Sequence, residues 1–196
     1  MSVVFSIALG ITLSASCGFR VFIPPLTLSI AAIFGHLDLA PGLDWLGTYP
    51  ALITLATAAV VETLGFYIPG VNNLLDVIAA PLALSAGTLV TAATLDDVNP
   101  FIRWTLAIVA GGGTTSVIQG MTSMTRLATN AVTGGLASPF VATMEALSAI
   151  VLSILALVIP LLAFLLVVGI LWWSFKKVQR LVKKRKKPTS ETNVLS

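Results

Sequence analysis

Five long apolar runs, separated by short polar stretches, account for most of this chain. They cover residues 3–34, 50–68, 75–95, 101–134 and 139–175, and the fourth becomes rich in Gly, Thr and Ser in its second half. A run of about 20 apolar residues is long enough to cross a bilayer as a helix. We therefore predict an all-α integral membrane protein, built as a bundle of transmembrane helices.

The number of spans depends on proline residues in the two longest runs. Pro24-Pro25 interrupts the first run, because proline removes a backbone donor and clashes with the preceding turn, and Pro160 interrupts the last. If Pro160 separates two helices, the chain has six spans; if the last run is one kinked helix, it has five. We favour six. The predicted helix breaks are Pro24, Pro25, Pro69, Gly70, Gly134, Gly135 and Pro139.

An internal repeat supports six spans. Small and hydroxyl residues lead to Arg20 and again to Arg126, and each arginine is followed by a helix that opens on proline and reaches an Ile-Pro. The repeat divides the chain into three-helix units over residues 1–95 and 96–175, followed by a basic tail at 176–196. An odd number of spans inverts the second unit relative to the first, as in many transporters. Both termini would then be cytoplasmic, with the acidic loops outside.

The few charges are concentrated at the C-terminus. Charged residues make up 10% of the chain and hydrophobic ones 57%, too few charges to cover a soluble surface. Eight of the eleven Lys and Arg residues lie between 176 and 187, directly after Trp172-Trp173. Such a cluster marks the cytoplasmic side of a membrane and attracts anionic lipid headgroups. The adjacent interfacial tryptophans favour this interpretation over nucleic-acid binding, so we expect lipid rather than nucleic acid as the partner.

Small residues recur at every fourth position on three predicted helices. Such ladders allow helix backbones to approach closely in a membrane. They are consistent with packing inside one bundle, which we favour, and with a homo-oligomer interface. The ladders are Ser6, Gly10, Ser14 and Gly18; Ala79, Ala83, Gly87 and Thr91; and Gly112, Ser116 and Gly120.

The chemistry of soluble enzymes is nearly excluded. His36 is the only histidine and Cys17 the only cysteine, so a histidine-based triad, a zinc cluster and a disulfide have no residues to form them. Gly111-Gly112-Gly113 lacks the lysine and the preceding strand of a phosphate-binding loop. We therefore expect no metal, no cofactor and no enzymatic activity.

Five charged residues fall inside the apolar runs or at their ends: Arg20, Glu62, Asp76, Arg126 and Glu145. A charge at a helix centre costs about 2.5–3.5 kcal/mol on insertion scales, so such residues face the protein interior and pair. We predict an Arg20–Glu62 pair and an Arg126–Glu145 pair. Asp76 is placed either to cap a helix or to join a functional site. The pairs are either structural or part of a polar pathway.

The stretch from residue 113 to 138 favours a pathway. Gln119, Arg126 and Asn130 are spaced by seven and four residues, which places them on one helical face. The many Ser and Thr side chains between them can hydrogen-bond to the carbonyl one turn back. The face that carries Gln119, Arg126 and Asn130 has to contact water, a substrate or a partner helix. Together with Glu62, Asp76 and the other charged residues, it forms the predicted polar centre.

Three motifs carry a resemblance to a known family: CGFRVFIPPL, IPGVNNLLD and ATNAVTGGLASP. They resemble the bacterial membrane-protein family catalogued as domain of unknown function 4126, over about residues 5–170. The resemblance implies a small multi-pass protein of the bacterial inner (plasma) membrane, and it implies no substrate. The matching positions are Arg20, Glu62, Pro69, Asp76, Arg126, Asn130, Thr133, Gly134, Gly135, Pro139 and Glu145.

Buried charges and the predicted inverted repeat together favour a small transporter or permease. Its substrate would be a polar, anionic small molecule or lipid headgroup, attracted by Arg20 and Arg126, with Glu62 and Glu145 as counter-charges or proton carriers. The alternative is a scaffold that packs against a larger membrane complex without transporting. An intramembrane enzyme ranks third, because paired carboxylates alone make a poor active site.

Overall fold

A computed structural model describes residues 3–68 and 71–185, and within these ranges the chain is helical and contains no strand. A short 3₁₀ helix covers Asp44–Gly47, and a π-helical segment covers Ala107–Gly112. The α-helices are α1 Val3–Cys17, α2 Ile23–Ile33, α3 Tyr49–Tyr67, α4 Val71–Thr94, α5 Pro100–Leu106, α6 Gly113–Thr133, α7 Ser138–Val158 and α8 Pro160–Arg185.

Four helical stretches in the described chain are long and apolar enough to cross a membrane: Tyr49–Tyr67, Leu74–Thr94, Pro100–Thr133 and Ser138–Val158. The third is the continuous rod of α5, the π-helical segment and α6. The other apolar helices are shorter, and in α8 the apolar part is Pro160–Trp172. The all-α membrane class is confirmed, whereas the count of six spans is not.

The central feature of the fold is a helical hairpin formed by α1 and α2. α1 runs antiparallel to α4: the Thr91 hydroxyl donates to the Gly10 carbonyl at 3.1 Å, and deeper in the bundle Ser14 lies beside Gly87. α2 then returns in the opposite direction, and the hydroxyl of Ser29 donates to the Leu46 carbonyl at 2.6 Å. Val3 and the end of α2 therefore lie at the same end of the bundle.

We call this the loop end, because it carries the loop 34–48 and the turn 95–99. The Ala40 amide donates to the Ala93 carbonyl at 2.9 Å, which fixes the loop beside the end of α4. The opposite end carries the 134–137 turn, and we call it the tail end. With 15 and 11 residues, α1 and α2 extend about 22 and 16 Å, short of the roughly 30 Å of a hydrocarbon core.

This hairpin corrects two predictions. The first apolar run does not form one broken helix but two short antiparallel helices, whose outer ends both lie at the loop end. Its interruption lies at residues 18–22, before Pro24-Pro25, which occupy the first turn of α2, where proline is tolerated. Because α1 begins at the loop end, residues 3 and 185 lie at opposite ends of the bundle if α8 ends at the tail end.

α8 does end there. The helix breaks at Ile159, whose backbone leaves the helical region with φ −138° and ψ 73°, and α8 turns back from the loop end. Val167 of α8 consequently packs in one apolar cluster with Leu152 of α7, Ala15 of α1 and Ile118 of α6. The last run is thus two helices hinged at Pro160, as the repeat suggested.

The inverted repeat itself is not confirmed. The hairpins α3–α4 and α7–α8 run in opposite senses, as inverted units require. However, α1 and α6 run parallel: Gly18 lies against Ile118, and the Thr122 hydroxyl donates to the Gly18 carbonyl at 3.1 Å. Inversion would make these two helices antiparallel.

The remaining predicted breaks have different outcomes. α6 ends at Gly134 and Gly135, which adopt left-handed conformations with φ 61° and 90°, and Pro139 lies in the first turn of α7. Both features match the prediction. Pro69 and Gly70 lie outside the described residues.

Two of the three small-residue ladders, those on α1 and α4, pack inside the bundle. α1 is surrounded by α4, α6, α7 and α8 and is buried over most of its length. A Cβ atom on Gly87 would collide with the side chains of Thr115 and Ser14, and one on Gly10 would collide with Thr94. This contact explains the ladder on α1 and α4, whereas Gly120 of α6 faces open space.

We predict that Gly87→Ala lowers the thermal unfolding temperature in detergent, because the added methyl group must displace the α1–α6 contact. Overpacking of this kind costs about 1–3 kcal/mol. Gly120→Ala is the matched control: it has free space and gains helix propensity, so its stability should be unchanged or higher. Equal losses in the two variants would contradict the packing described here.

The hairpin predicts a topology that cysteine labelling can test. In a Cys17→Ser background, an impermeant thiol reagent should modify Val3→Cys and Asp97→Cys from one side of the membrane. It should modify Leu136→Cys, in the exposed 134–137 turn, from the other side. Modification of Val3→Cys and Leu136→Cys from the same side would contradict the hairpin and show that α1 and α2 form a single broken span.

Candidate functional site

Charged side chains from five elements meet at the tip of the α1–α2 hairpin. α4 and α6 lie antiparallel, which places Asp76 opposite Arg126, and α3 and α7 bring in Glu62 and Glu145. Arg20 lies at the tip itself. We call these five residues the charged cluster. It lies closer to the tail end, since Asp76 is in the second turn of α4.

Glu62 accepts two backbone hydrogen bonds at the hairpin tip. Its carboxylate oxygens accept from the amides of Val21, at 2.8 Å, and Phe22, at 3.1 Å. These amides directly precede α2, at an end of the helix where backbone amides have no partners within the helix itself. The predicted Arg20–Glu62 ion pair is therefore wrong: among the described contacts, Glu62 caps a helix and makes no salt bridge.

Arg20 is fully buried and holds the tip against α7. Its Nη2 donates to the Ala142 carbonyl at 2.8 Å and lies 3.9 Å from Oε2 of Glu145. Its guanidinium carbon lies 4.3 Å from the centroid of the Phe66 ring. A buried guanidinium over an aromatic face gains cation–π attraction. The acidic partner of Arg20 is thus Glu145 rather than Glu62.

Arg126 links two carboxylates. Its Nε donates to Oε1 of Glu145 at 2.9 Å, which confirms the predicted pair, and its Nη1 donates to Asp76. Asp76 consequently serves as an ion-pair partner and not as a helix cap. Its side chain is the most exposed of the three carboxylates that surround the arginines, at 15%.

Phe66 was not predicted as part of the site. Its ring contacts both guanidiniums, since the Arg126 carbon lies 4.2 Å from its centroid. The available signal was its spacing: Phe66 follows Glu62 by four residues, on the same face of α3. Nothing in the apolar composition of α3 distinguishes this phenylalanine from one that faces lipid.

Three polar atoms of the charged cluster have no hydrogen-bond partner among the described residues. They are Oε2 of Glu145 and both Nε and Nη1 of Arg20. Burying such an atom unpaired costs about 1–3 kcal/mol, and more when it is charged. The cluster is therefore incomplete as a purely structural ion-pair network.

The predicted polar face of α6 does not form one site. Gln119 lies near Gly18, about two helical turns from Arg126, and its Nε2 has no partner within the described chain. Asn130 instead joins a network at the tail end: Ser138 donates to Asn130 at 2.9 Å and accepts from Asn72 at 2.8 Å.

Most threonine hydroxyl groups of α6 donate hydrogen bonds to carbonyls within the same helix. Thr125, Thr129 and Thr133 each donate to the carbonyl four residues earlier, at 2.8–2.9 Å. The density of polar residues that suggested a wet face is therefore largely accounted for by the helix itself. In the described parts of the chain, no group of three or more His, Cys, Asp or Glu residues is arranged to hold a metal ion.

Comparison with known proteins gives one finding. The sequence model of a family described as Domain of unknown function (DUF4126) matches residues 7–180, which confirms the resemblance seen in the motifs. No curated protein and no solved structure matches the chain.

We predict that Glu62→Ala destabilises the protein in detergent, because two buried amides lose their acceptor, at about 1–3 kcal/mol each. Glu62→Gln, which keeps one amide oxygen, should lose less. Adding Arg20→Leu to Glu62→Leu should add a further loss, since the two side chains do not pair. Recovery of stability in that double variant, measured by thermal unfolding with Asp97→Asn as the surface control, would show that they do.

Proposed function

The chain belongs to the family described as Domain of unknown function (DUF4126), and because that description states no activity, we propose from the geometry that it is a membrane transporter for small polar molecules. The observation that carries the proposal is the interrupted α1–α2 hairpin, whose tip brings Arg20 into a buried charged cluster. Interrupted helices at membrane depth are tolerated where they line a protein-covered or wet site, and many transporters bind substrate there.

The charges of the cluster favour a neutral or cationic molecule over the anion expected from the sequence. Two arginines carry +2 and three carboxylates carry −3, so the formal sum is −1. Both guanidiniums also already contact Glu145. An anionic substrate or lipid headgroup would have to displace that carboxylate, whereas a positive group would complete the charge balance.

The pathway enters from the tail end in this proposal. The Asn72–Ser138–Asn130 network and the partly exposed Asp76 lie between the 134–137 turn and the arginines. Towards the loop end, the apolar cluster of Ala15, Ile118, Leu152 and Val167 closes the interior.

We also propose that the tail end faces the cytoplasm. The basic residues from Lys176 to Arg185 lie in the last turns of α8 at this end, whereas Asp38, Asp44 and the Asp96-Asp97 turn lie at the loop end. That distribution follows the positive-inside rule. The Lys176 ammonium lies 4.0 Å from the Trp172 ring, an interfacial pair that suits anionic headgroups. The tail beyond Arg185 lies outside the described residues.

Thiol labelling can test the pathway. In a Cys17→Ser background, Asn130→Cys should react with a charged impermeant thiosulfonate from the tail end. It should react several-fold faster with a cationic than with an anionic reagent, because the cluster is net negative. Leu127→Cys is the matched control on the lipid-facing side of α6 and should not react.

Failure of Asn130→Cys to react in intact membranes, while Leu136→Cys does react from the same side, would leave the cluster dry. The transporter proposal would then be overturned in favour of the scaffold. Faster reaction with the anionic reagent would instead support the anionic substrate that the sequence predicted.

A further inference from the structure

The three carboxylates of the charged cluster differ in how well their oxygens are satisfied. Both oxygens of Glu62 accept backbone amides. Asp76 accepts from Arg126 and reaches solvent in part. Glu145 is buried and accepts one hydrogen bond at Oε1, while Oε2 has no hydrogen-bond partner among the described residues and only the ionic contact with Arg20 at 3.9 Å.

Of the three carboxylates, Glu145 is therefore the one with an oxygen that lacks a hydrogen-bond donor among the described residues. A buried carboxylate is stabilised by hydrogen bonds to its charged form and by nearby cations. Arg126 is shared with Asp76, and Arg20 stands 3.9 Å away, beyond hydrogen-bond distance. One positive charge added at Oε2 would balance the cluster and remove its unpaired acceptor.

We propose that Glu145 is a proton-binding site, at which Oε2 takes a proton from water that enters from the tail end and later returns it. The proton comes from a hydronium ion in that water, so the step breaks one O–H bond of hydronium and forms one on Oε2. It leaves the Arg126 bond to Oε1 in place. The proposal deepens the transporter function and rests on it for the route of the proton. The binding of the proton itself can be measured without any transported substrate.

The surroundings of Glu145 support this assignment. Arg20 faces it from the hairpin tip, Asp76 from α4 and Arg126 from α6, and α3 contributes Glu62, the Phe66 ring and Tyr67, whose hydroxyl hydrogen-bonds Thr143 at 2.6 Å. Protonation would weaken the attraction between Glu145 and Arg20 while Glu62 continues to cap α2. The hairpin tip would thus remain attached to α3 when its ionic contact with α7 is weakened.

The proton also defines the class of substrate. Because a single positive charge balances the cluster, a proton on Glu145 and a cationic solute in the pathway would compete. This arrangement suits the exchange of a proton for a small organic or inorganic cation rather than the cotransport of the two. An anion would be expected to bind together with the proton instead.

Infrared difference spectroscopy on the full-length protein in lipid membranes tests the proton site. Acidification should produce, besides the bands of the exposed carboxylates, a separate carbonyl-stretching band at higher frequency, as expected for a protonated carboxylic acid in a buried site. That band should be lost completely in Glu145→Gln and retained in Asp97→Asn. A band that survives in Glu145→Gln, or that disappears in Glu62→Gln instead, would overturn the assignment.

The assignment stays testable if Glu145→Gln does not fold. The chain has only three glutamates, Glu62, Glu145 and Glu191. Isotopic labelling of glutamate should shift the band in the unmutated protein, and Glu62→Gln and Glu191→Gln should both keep it. A band that does not shift belongs to an aspartate and contradicts the proposal.

Thiol labelling separates this inference from the transporter function. The preference of Asn130→Cys for a cationic over an anionic reagent should fall to about one on acidification, and at every pH when Glu145→Gln is added. The rate ratio cancels changes in thiol ionisation. If Asn130→Cys reacts but its cationic-to-anionic rate ratio is unchanged by Glu145→Gln, the proton site alone is refuted. If Asn130→Cys does not react, the pathway is refuted.

Discussion

The two hydrogen bonds from the hairpin tip to Glu62 are the interaction on which the rest of the fold depends. A helix that stops inside a membrane leaves amides without partners, and lipid offers no acceptor. Val21 and Phe22 would be such amides, whereas Pro24 and Pro25, in the first turn of α2, have no amide hydrogen that needs an acceptor. With Glu62 in place, α1 can reverse within the bundle, and Arg20 is carried to the opposite carboxylates.

The sequence was sufficient to predict the membrane class and the residues that meet, but not their partners. A buried charge requires compensation, and Arg20, Glu62, Asp76, Arg126 and Glu145 do converge. The predicted pairing of Arg20 with Glu62 was wrong because backbone amides, as well as a cation, can compensate a buried carboxylate. Unpaired amides at an interrupted helix compete for the same carboxylate, and they become visible only once the interruption is located in three dimensions.

Hydropathy alone could not predict that the first apolar run reverses its direction. A kinked span and a hairpin have the same composition, since lipid and the protein interior are both apolar. What distinguishes them is close packing: the contacts of Gly10 and Gly18 fix α1 antiparallel to α4 and parallel to α6. The small residues predicted that helices would approach, but their spacing does not say which helices or in which direction.

The same packing limits what the hairpin can do. α1 is enclosed by four helices and is hydrogen-bonded to three elements. The Ser14 hydroxyl donates to the Gly111 carbonyl of the π-helical segment, Thr115 of α6 donates to the Ser14 carbonyl, and Thr91 of α4 donates to the Gly10 carbonyl. A large displacement of α1 would therefore break several polar contacts at once. α2 makes fewer such bonds and is held chiefly by Glu62 at its start and by Ser29 near its end. If the tip moves when Glu145 changes charge, α2 and the Arg20 side chain are therefore the parts that move, while α1 serves as the fixed axis of the bundle.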